Sequence, residues 1–113
     1  MTHRLAVLIS GTGSNLQAIV DAIDAGELPA RISLVLSNKA GAAGLARAER
    51  AGVPAQAIDH RGFPDRASFD QAMIERIDAH GADTVVLAGF MRILSPGFVR
   101  HYQGRLINIH PSL

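Results

Sequence analysis

The sequence predicts an α/β fold, a Rossmann-like parallel sheet with helices on both faces, and two observations lead to this prediction. Short apolar runs, typical of strands that are buried on both faces, recur along the chain. Segments with apolar residues at helical spacing lie between these runs, and glycine or polar residues stand at most junctions. Alternating strands and helices imply right-handed β-α-β units, so ligands are expected at the carboxyl ends of the strands.

The first half of the chain supplies three predicted strands. The apolar run 5–9 is the first, and it precedes a glycine-rich turn and a helix with apolar residues at helical spacing, Leu16, Ile19, Val20 and Ile23. A second strand is expected at 32–36. A helix follows at 44–51 and ends at Gly52, because glycine is favoured just after the end of a helix. A short third strand is expected at 55–58.

The second half of the chain continues the alternation. Ser68 is expected to cap a helix that ends near Gly81 and whose apolar face is formed by Phe69, Met73, Ile74 and Ile77. The β-branched run 84–87 predicts the fourth strand. Ser95 and Pro96 are typical of the cap and first turn of a short helix, which carries Phe98 and Val99. The fifth strand is expected at 106–109.

Composition limits the classes of function. The chain has 113 residues, of which 48% are hydrophobic and 19% charged, so one soluble globular domain over residues 1–113 is expected. A formal net charge of +1 and few aromatic residues disfavour nucleic acid as a partner. There is no cysteine and the five histidines lack metal-ligand spacing, so we expect neither disulfides nor a metal site. No apolar run is long enough for a signal peptide core or a membrane span. The absence of cysteine fits a reducing cytoplasm, so a cytoplasmic location is expected.

The turn after the first predicted strand, residues 10–15, is a candidate anion site. Free N–H groups and the positive dipole end of a helix N-terminus attract anions, and glycine lets a phosphate approach the backbone closely. Gly11 and Gly13 match the first two glycines of a dinucleotide-binding turn, but Leu16 replaces the third. The match to a dinucleotide site is therefore incomplete.

Two further observations direct this turn toward a single phosphate. Asn38-Lys39 follows the second strand, where a dinucleotide enzyme would have an acidic ligand for the ribose, and Lys39 is expected to face solvent or to support the phosphate. Ser14 and Asn15 supply a hydroxyl and an amide suited to one phosphate monoester. The alternative is a tight turn in which Ser14 or Asn15 is an ordinary helix cap.

A second polar group, Asn108-Ile109-His110-Pro111, follows the last apolar run. If 106–109 is a strand, Asn108 and His110 point to the same face, roughly 6.5 Å apart along the strand. Pro111 favours extended backbone at His110. An amide can stabilise an oxyanion and an imidazole can move a proton near neutral pH, which are the two functions that acyl transfer requires. The alternative is a strand end with an asparagine satisfied by a turn and a surface histidine.

Four sequence blocks in the same order resemble the glycinamide ribonucleotide transformylase family, the folate-dependent phosphoribosylglycinamide formyltransferases of purine synthesis. The blocks are residues 7–19, 37–40, 87–96 and 108–113. The resemblance implies the formyltransferase fold and transfer of a formyl group from the co-substrate 10-formyltetrahydrofolate to the amine of 5'-phosphoribosylglycinamide. The last block also resembles formyltetrahydrofolate deformylases and methionyl-tRNA formyltransferases, so a sister enzyme is one alternative. A non-catalytic phosphate-binding module is another.

The resemblance also implies roles for single residues. His110 and Asn108 would be catalytic. The substrate phosphate would be bound by Gly13, Ser14 and Asn15. The formyl-folate would be bound by Arg66, Met91, Arg92, Ile93, Leu94 and Asn108. The neighbours of Arg66 differ from the family pattern, and the alternative for this residue is a surface arginine paired with Asp65 or Asp70.

In the resembled family the domain continues past Leu113, and a downstream aspartate pairs with the catalytic histidine. We therefore expect that the C-terminal part of the family's domain is absent and that 106–109 is an unpaired edge of the sheet. The corresponding hypothesis is a phosphate-binding half site with impaired catalysis in these 113 residues. We expect small-molecule substrates, no nucleic acid or membrane partner, and a monomer or homodimer.

Overall fold

The computed structural model describes residues 2–109, which form a five-stranded parallel sheet with helices on both faces. The strands are β1 (His3–Ile9), β2 (Ala30–Ser37), β3 (Ala55–Ala57), β4 (Thr84–Ala88) and β5 (Leu106–Ile109). The helices are α1 (Ser14–Asp24), α2 (Gly44–Arg50), α3 (Arg66–Ala79) and α4 (Pro96–His101), and His60–Gly62 is a short 3₁₀ helix. The strand order β3-β2-β1-β4-β5 puts β1 at the centre of the sheet.

The composition of β1 explains its central place. Residues 5–9 are all buried and belong alternately to two apolar clusters. Val7 and Ile9 pack with α1 and α2 on one face of the sheet, and Ala6 and Leu8 pack with α3 and α4 on the other. Successive side chains of a strand point to opposite faces, so a strand that is covered on both sides has to be apolar throughout.

The predicted fold class and all predicted strands are confirmed, with small shifts at their ends. Helix α2 ends one residue before the predicted 44–51, and β3 ends one residue before the predicted 55–58. The helices are short, and none within the described range has both the length and the apolar composition that a membrane span requires.

The predicted cap of α3 is wrong, whereas that of α4 is confirmed. Asp65 precedes α3, and its carboxylate accepts a hydrogen bond from the backbone N–H of Ser68 at 2.7 Å. Ser68 therefore lies inside the first turn, because an aspartate three residues earlier already satisfies its N–H. Ser95 Oγ accepts from the backbone N–H of Phe98 at 3.2 Å, and Pro96 is the first residue of α4.

Strand β5 lies at the edge of the described sheet. It pairs with residues 85–88 of β4, and no other strand of residues 2–109 pairs with it. The expectation of an open edge at 106–109 is thus confirmed for the described part of the chain. Ile107 on this strand is 52% exposed, so one apolar side chain of the edge meets solvent in these residues.

Candidate active site

The β1 loop, defined here as residues 10–15, crosses the carboxyl edge of the sheet at its centre. Gly13 directly precedes α1 with φ 78° and ψ 24°, in the left-handed region that favours glycine. A Cβ atom on Gly13 would also lie 2.6 Å from the Cα atom of Gly44 at the start of α2. Because the two backbones touch, only glycine fits at this point of the loop.

Two hydrogen bonds hold the β1 loop against α2. The backbone N–H of Gly44 donates to the carbonyl oxygen of Gly11 at 2.9 Å. The guanidinium of Arg47 donates from Nε to the carbonyl oxygen of Thr12 at 2.7 Å. A positive charge therefore lies directly behind the loop, where it favours an anion in front of it.

Several backbone N–H groups at the start of α1 are open to a ligand. The N–H of Gln17 donates to the carbonyl oxygen of Gly13 at 2.8 Å, whereas the N–H groups of Ser14, Asn15 and Leu16 find no acceptor in the described residues. The alternative in which Ser14 or Asn15 caps the helix is wrong, because both lie inside α1 and Gly13 holds the cap position. Unpaired N–H groups, the dipole and a first turn without acidic residues together favour an anion at this point, which makes the loop a candidate anion site.

Two adjoining cavities open over the β1 loop. The smaller one, about 260 Å³, lies between residues 10–15 and the chain that follows β4, at Ala88, Gly89 and Met91. The larger one, about 720 Å³, extends on the β2 side toward Asp59–Arg61. The exposed side chain of Lys39 lines both cavities. The prediction that Lys39 faces solvent or supports the phosphate side is therefore compatible with its place at the cavity walls.

The far wall of the larger cavity carries an ion pair. Arg61 donates from its guanidinium to the carboxylate of Asp59 at 2.7 Å. Hydrogen bonds from the side chain and the backbone of Arg61 lower the pKa of Asp59 to about 2. The carboxylate is thus ionised and balanced by its partner at neutral pH, so it adds little net charge to the cavity.

The β4 loop, defined here as residues 89–94, follows β4 at the same edge of the sheet and has neither helix nor strand. The backbone N–H of Met91 donates to Ser10 Oγ at 2.8 Å. The guanidinium of Arg92 lies 4.9 Å from the ring centre of Phe69, a cation–π distance. Just after the loop, the N–H of Ser95 donates to a carboxylate oxygen of the buried Asp70 at 2.6 Å. Gly89 and Met91 of the loop line the smaller cavity.

Much of the β4 loop remains open to a ligand. The side chains of Met91 and Ile93 are 76% and 74% exposed. Within residues 2–109, the backbone N–H and C=O groups of residues 92–94 make no hydrogen bond to other parts of the chain. Phe90 and Leu94 are partly buried against the apolar cluster of α3 and α4. Apolar side chains beside unpaired backbone polar groups are the combination that a flat heteroaromatic ring requires.

Asn108 lies on β5 opposite Leu87 of β4 and is exposed. Residues in register on neighbouring parallel strands point to the same face, and Leu87 packs against the α3 and α4 cluster. Asn108 therefore points to the face of the sheet on which Phe90 and Leu94 of the β4 loop pack. The predicted position of His110 lies outside the described residues.

Comparison with known proteins identifies the family. Residues 3–113 match the family model described as formyl transferase. This chain belongs to the formyl transferase family. It is 53% identical over 109 residues to phosphoribosylglycinamide formyltransferase of Escherichia coli, covering 96% of this chain and 51% of the relative. It is 54% identical over 110 residues to the trifunctional purine biosynthetic protein adenosine-3 of Bos taurus, covering 97% of this chain and 11% of that protein.

Solved formyltransferase structures share the fold. Phosphoribosylglycinamide formyltransferase of Coxiella burnetii, solved in complex with CHES, superposes with a TM-score of 0.94 at 50% identity, covering all of this chain and 53% of that one. Glycinamide ribonucleotide transformylase 1 of Symbiobacterium toebii gives a TM-score of 0.94 at 47% identity, covering 99% and 53% of the two chains. The chain thus spans about half the length of the bacterial formyltransferases that it matches.

In this formyl transferase chain, Arg66 is the first residue of α3 and is exposed. The alternative of an ion pair with Asp65 or Asp70 is wrong. Asp65 caps α3 and Asp70 accepts from Ser95, and neither forms an ion pair with Arg66 in the described residues. Contact between Arg66 and a folate stays a prediction.

Sequence reasoning did not predict the hydrogen bonds of three buried polar side chains near the candidate site, Ser10, Asn38 and Asp70. Ser10 and Asn38 each stand directly after a buried apolar strand, and that position was the available signal. Asp70 gave no such signal, because its partner on the β4–α4 connection is 25 residues away in sequence.

Proposed function

We propose that this chain carries the acceptor-phosphate site and the formyl-donor loop of a phosphoribosylglycinamide formyltransferase of de novo purine (IMP) biosynthesis. One observation carries the proposal. The β1 loop, with its unpaired helix N–H groups, and the β4 loop, with its open apolar surface, meet across one cavity in a formyl transferase family member. Acceptor and donor would then bind on adjoining walls of that cavity.

The phosphate of the acceptor is proposed to bind at Gly13, Ser14 and Asn15. The backbone N–H groups of Ser14 and Asn15 have no acceptor among residues 2–109, and Gly13 carries no side chain that would keep a phosphate away. Arg47 behind the loop and Lys39 at the cavity wall supply positive charge. Fixing the phosphate here would hold the amine of the acceptor in one position, and such positioning supplies several kcal/mol of barrier reduction in well-oriented reactions, up to about 7–11 kcal/mol.

The formyl-folate is proposed to bind along the β4 loop at Met91, Arg92, Ile93 and Leu94. The N–H of Met91 is already donated to Ser10, so ring recognition falls to the unpaired backbone groups of residues 92–94. The exposed side chains of Met91 and Ile93 would cover the ring faces, since large exposed apolar side chains in a loop are typical of ligand surfaces. Arg66 at the start of α3 is the proposed further contact to the folate.

The proposed chemistry is direct formyl transfer without a covalent enzyme intermediate. The amine attacks the formyl carbon, the carbonyl electron pair moves to oxygen, and collapse of the tetrahedral intermediate breaks the bond to the folate nitrogen. The amide of Asn108 would donate a hydrogen bond to the oxyanion. His110 would carry the proton that leaves the attacking amine and reaches the departing folate nitrogen.

Formyl transfer to three acceptors tests this proposal. An absorbance assay with 10-formyltetrahydrofolate should give product with glycinamide ribonucleotide and none with water or tRNA. Product with water or with tRNA would identify a deformylase or a tRNA formyltransferase instead. Phosphate binding without any transfer, both in this chain and in one extended to the length of the Escherichia coli relative, would identify a non-catalytic module. The same assay on a chain extended to the length of the Escherichia coli relative tests how far catalysis depends on residues beyond Leu113.

Variants separate binding from catalysis. His110→Ala and Asn108→Ala should lower kcat by about 10² or more while both ligands bind within a few fold, since the loss of an oxyanion donor costs about 3–4 kcal/mol. Replacing both Ser14 and Asn15 by alanine keeps the backbone N–H donors but removes a hydroxyl and an amide. It should raise KM for glycinamide ribonucleotide, because each side-chain hydrogen bond lost to a charged phosphate is worth about 1.5–3 kcal/mol. Ser68→Ala in the first turn of α3 is the matched control and should leave KM unchanged.

Inorganic phosphate distinguishes the two subsites. It should compete with glycinamide ribonucleotide and leave the apparent affinity for the folate unchanged. Competition with the folate would show that the two ligands are assigned to the wrong loops. The proposal further assigns a cytoplasmic location and small molecules as the only partners needed for this reaction.

A further inference from the structure

The hydroxyl of Ser10 lies at a junction of three strand ends. Ser10 follows β1, is 4% exposed, and donates from Oγ to Oδ1 of Asn38 at 2.6 Å. The same oxygen accepts the backbone N–H of Met91 at 2.8 Å. A hydroxyl has one donor and two acceptor positions, so these bonds use its donor and one lone pair. One buried oxygen thus joins the β1 loop to the chain after β2 and to the β4 loop.

Asn38 fixes the direction of this hydroxyl. Its side chain is 3% exposed at the end of β2, so its amide has little freedom. Because Met91 N–H can only donate, the hydroxyl hydrogen of Ser10 has to point elsewhere, and Asn38 Oδ1 accepts it. The orientation that receives Met91 is therefore set from the neighbouring strand.

The bond from Met91 to Ser10 ties the middle of the β4 loop to the β1 loop, while Phe90 and Leu94 pack against the cluster of α3 and α4. From residue 89 to residue 94, the N–H of Met91 is the only backbone group that hydrogen-bonds to another part of residues 2–109. The next backbone anchor is Ser95, at the start of α4. The side chains of Met91 and Ile93 point into solvent and do not tie the loop to the core. Removal of the Ser10 hydroxyl would leave the middle of the loop without a polar link to the β1 loop.

We infer that Ser10 is a positioning residue that couples the two ligand loops, so that an anion bound at the β1 loop orders the β4 loop. This inference rests on the proposed function, since that function assigns the two loops to two ligands. Ser10 lines both cavities, but it is 4% exposed and its hydroxyl bonds to Asn38 and Met91, so we assign it no direct contact to a ligand. It sets the distance between the acceptor and donor subsites through the hydrogen bond that it accepts from Met91.

Amide hydrogen exchange tests the bond without reference to any activity. In the wild-type chain the Met91 amide should be protected, although it lies in an irregular loop, while the amides of residues 92–94 exchange rapidly. In Ser10→Ala the Met91 amide should exchange about tenfold faster, the factor to which a typical net hydrogen bond corresponds. Ser37→Ala is the matched control, because Ser37 is equally buried at the end of β2, but within residues 2–109 its hydroxyl bonds only to Lys39 of its own turn. Equal Met91 exchange in wild type and Ser10→Ala would overturn the inference.

Titration with inorganic phosphate tests the coupling. In wild type and Ser37→Ala, phosphate should shift the amide resonances of Ser14 and Asn15 and also those of the β4 loop. In Ser10→Ala the shifts at Ser14 and Asn15 should persist while those of the β4 loop disappear, an outcome that general destabilisation would not give. Persistent β4-loop shifts in Ser10→Ala would overturn the inference.

The two proposals fail in different ways. If phosphate shifts no amide of the β1 loop in any variant, the proposed function fails, and the Met91 exchange rates still decide whether Ser10 holds the loop. If Ser10→Ala does not fold, Asn38→Ala replaces it. That variant keeps the hydroxyl of Ser10 but removes its acceptor, and it should raise Met91 exchange by a smaller factor than tenfold. Unchanged exchange in Asn38→Ala, or an unprotected Met91 amide in wild type, would overturn the inference.

Discussion

Gly13→Ala is the sharpest test of the geometry of the β1 loop. Gly13 has φ 78°, and an L-residue in the left-handed region costs about 1–2 kcal/mol. Its added Cβ would lie 2.6 Å from Gly44 Cα, whereas ordinary van der Waals contact begins at 3.4 Å. Both atoms belong to backbone or are bonded to it, so the loop or α2 has to shift by about 0.8 Å, and overpacking of this kind costs a further 1–3 kcal/mol or so. The expected destabilisation is about 2–5 kcal/mol.

Gly26→Ala is the matched control for this substitution. Gly26 follows α1 with φ 76°, and a Cβ there would meet nothing within 4 Å. It carries the left-handed cost of about 1–2 kcal/mol without the clash. Replacing glycine by alanine also lowers the conformational entropy of the unfolded chain, which stabilises the folded state. This gain in stability is the same for both substitutions and cancels in the difference.

Urea unfolding and phosphate titration of the two variants provide the measurement. Gly13→Ala should unfold at lower urea than Gly26→Ala and should bind phosphate at least tenfold more weakly than wild type, while Gly26→Ala binds phosphate normally. Equal urea midpoints would refute the tight contact between Gly13 and Gly44. Normal phosphate affinity in a displaced Gly13→Ala loop would refute the assignment of the anion site.

Three further predictions concern stability and pH. Tyr102 is the single tyrosine of a chain without tryptophan, and its pKa is raised first by burial and second by its hydrogen bond to Asp78. Its contribution to folding stability is complete below about pH 10 and is lost as pH rises further, so phenolate absorbance should appear only together with loss of helical circular dichroism. A normal tyrosine titration in the folded chain would contradict this. Hydrogen bonds from the backbone and side chain of Ser68 lower the pKa of Asp65, so its contribution to folding stability is complete above about pH 4 and is lost as pH falls. The urea midpoints of wild type and Asp65→Asn should therefore converge in acid. A difference between the midpoints that does not change with pH would show that the charge of Asp65 is not what stabilises the helix. Ser95→Ala removes the cap of α4 and should cost about 1 kcal/mol in urea unfolding, while Ser95→Asp, which keeps an acceptor, should retain most of the stability.

The sequence predicted the sheet well because the determinants of its strands are local. The apolar runs of β1 and β4 are continuous, and strands covered on both faces require that pattern. The cap of α3 was mispredicted since both Asp65 and Ser68 are good capping residues, and only the backbone geometry decides which one accepts the N–H. Local propensity ranks candidates for a cap, but it does not choose between neighbours.

The candidate site was predictable in part for a related physical reason. Gly13 and the residues after it predict an anion site, because a glycine-rich turn before a helix leaves backbone N–H groups open to an anion. The bond from Met91 to Ser10 joins residues 81 positions apart in sequence. The contact between Gly13 and Gly44 joins the β1–α1 connection to the start of α2. Neither leaves a local pattern in sequence, since each exists only once β1 lies between β2 and β4.

The two ligand loops and Asn108, which together make up the proposed reaction centre, lie on parts of the sheet that differ in packing. The β1 loop and the β4 loop leave neighbouring strands at the centre of the sheet, where residues on both faces are buried. Asn108 lies on β5 and is exposed, and among the described residues β5 pairs with a strand on one side only. Side chains on well-packed elements hold their geometry more precisely than those on open ones. Phosphate binding should therefore be a property of the central strands, whereas the precision with which Asn108 meets a formyl oxygen depends on what packs against β5.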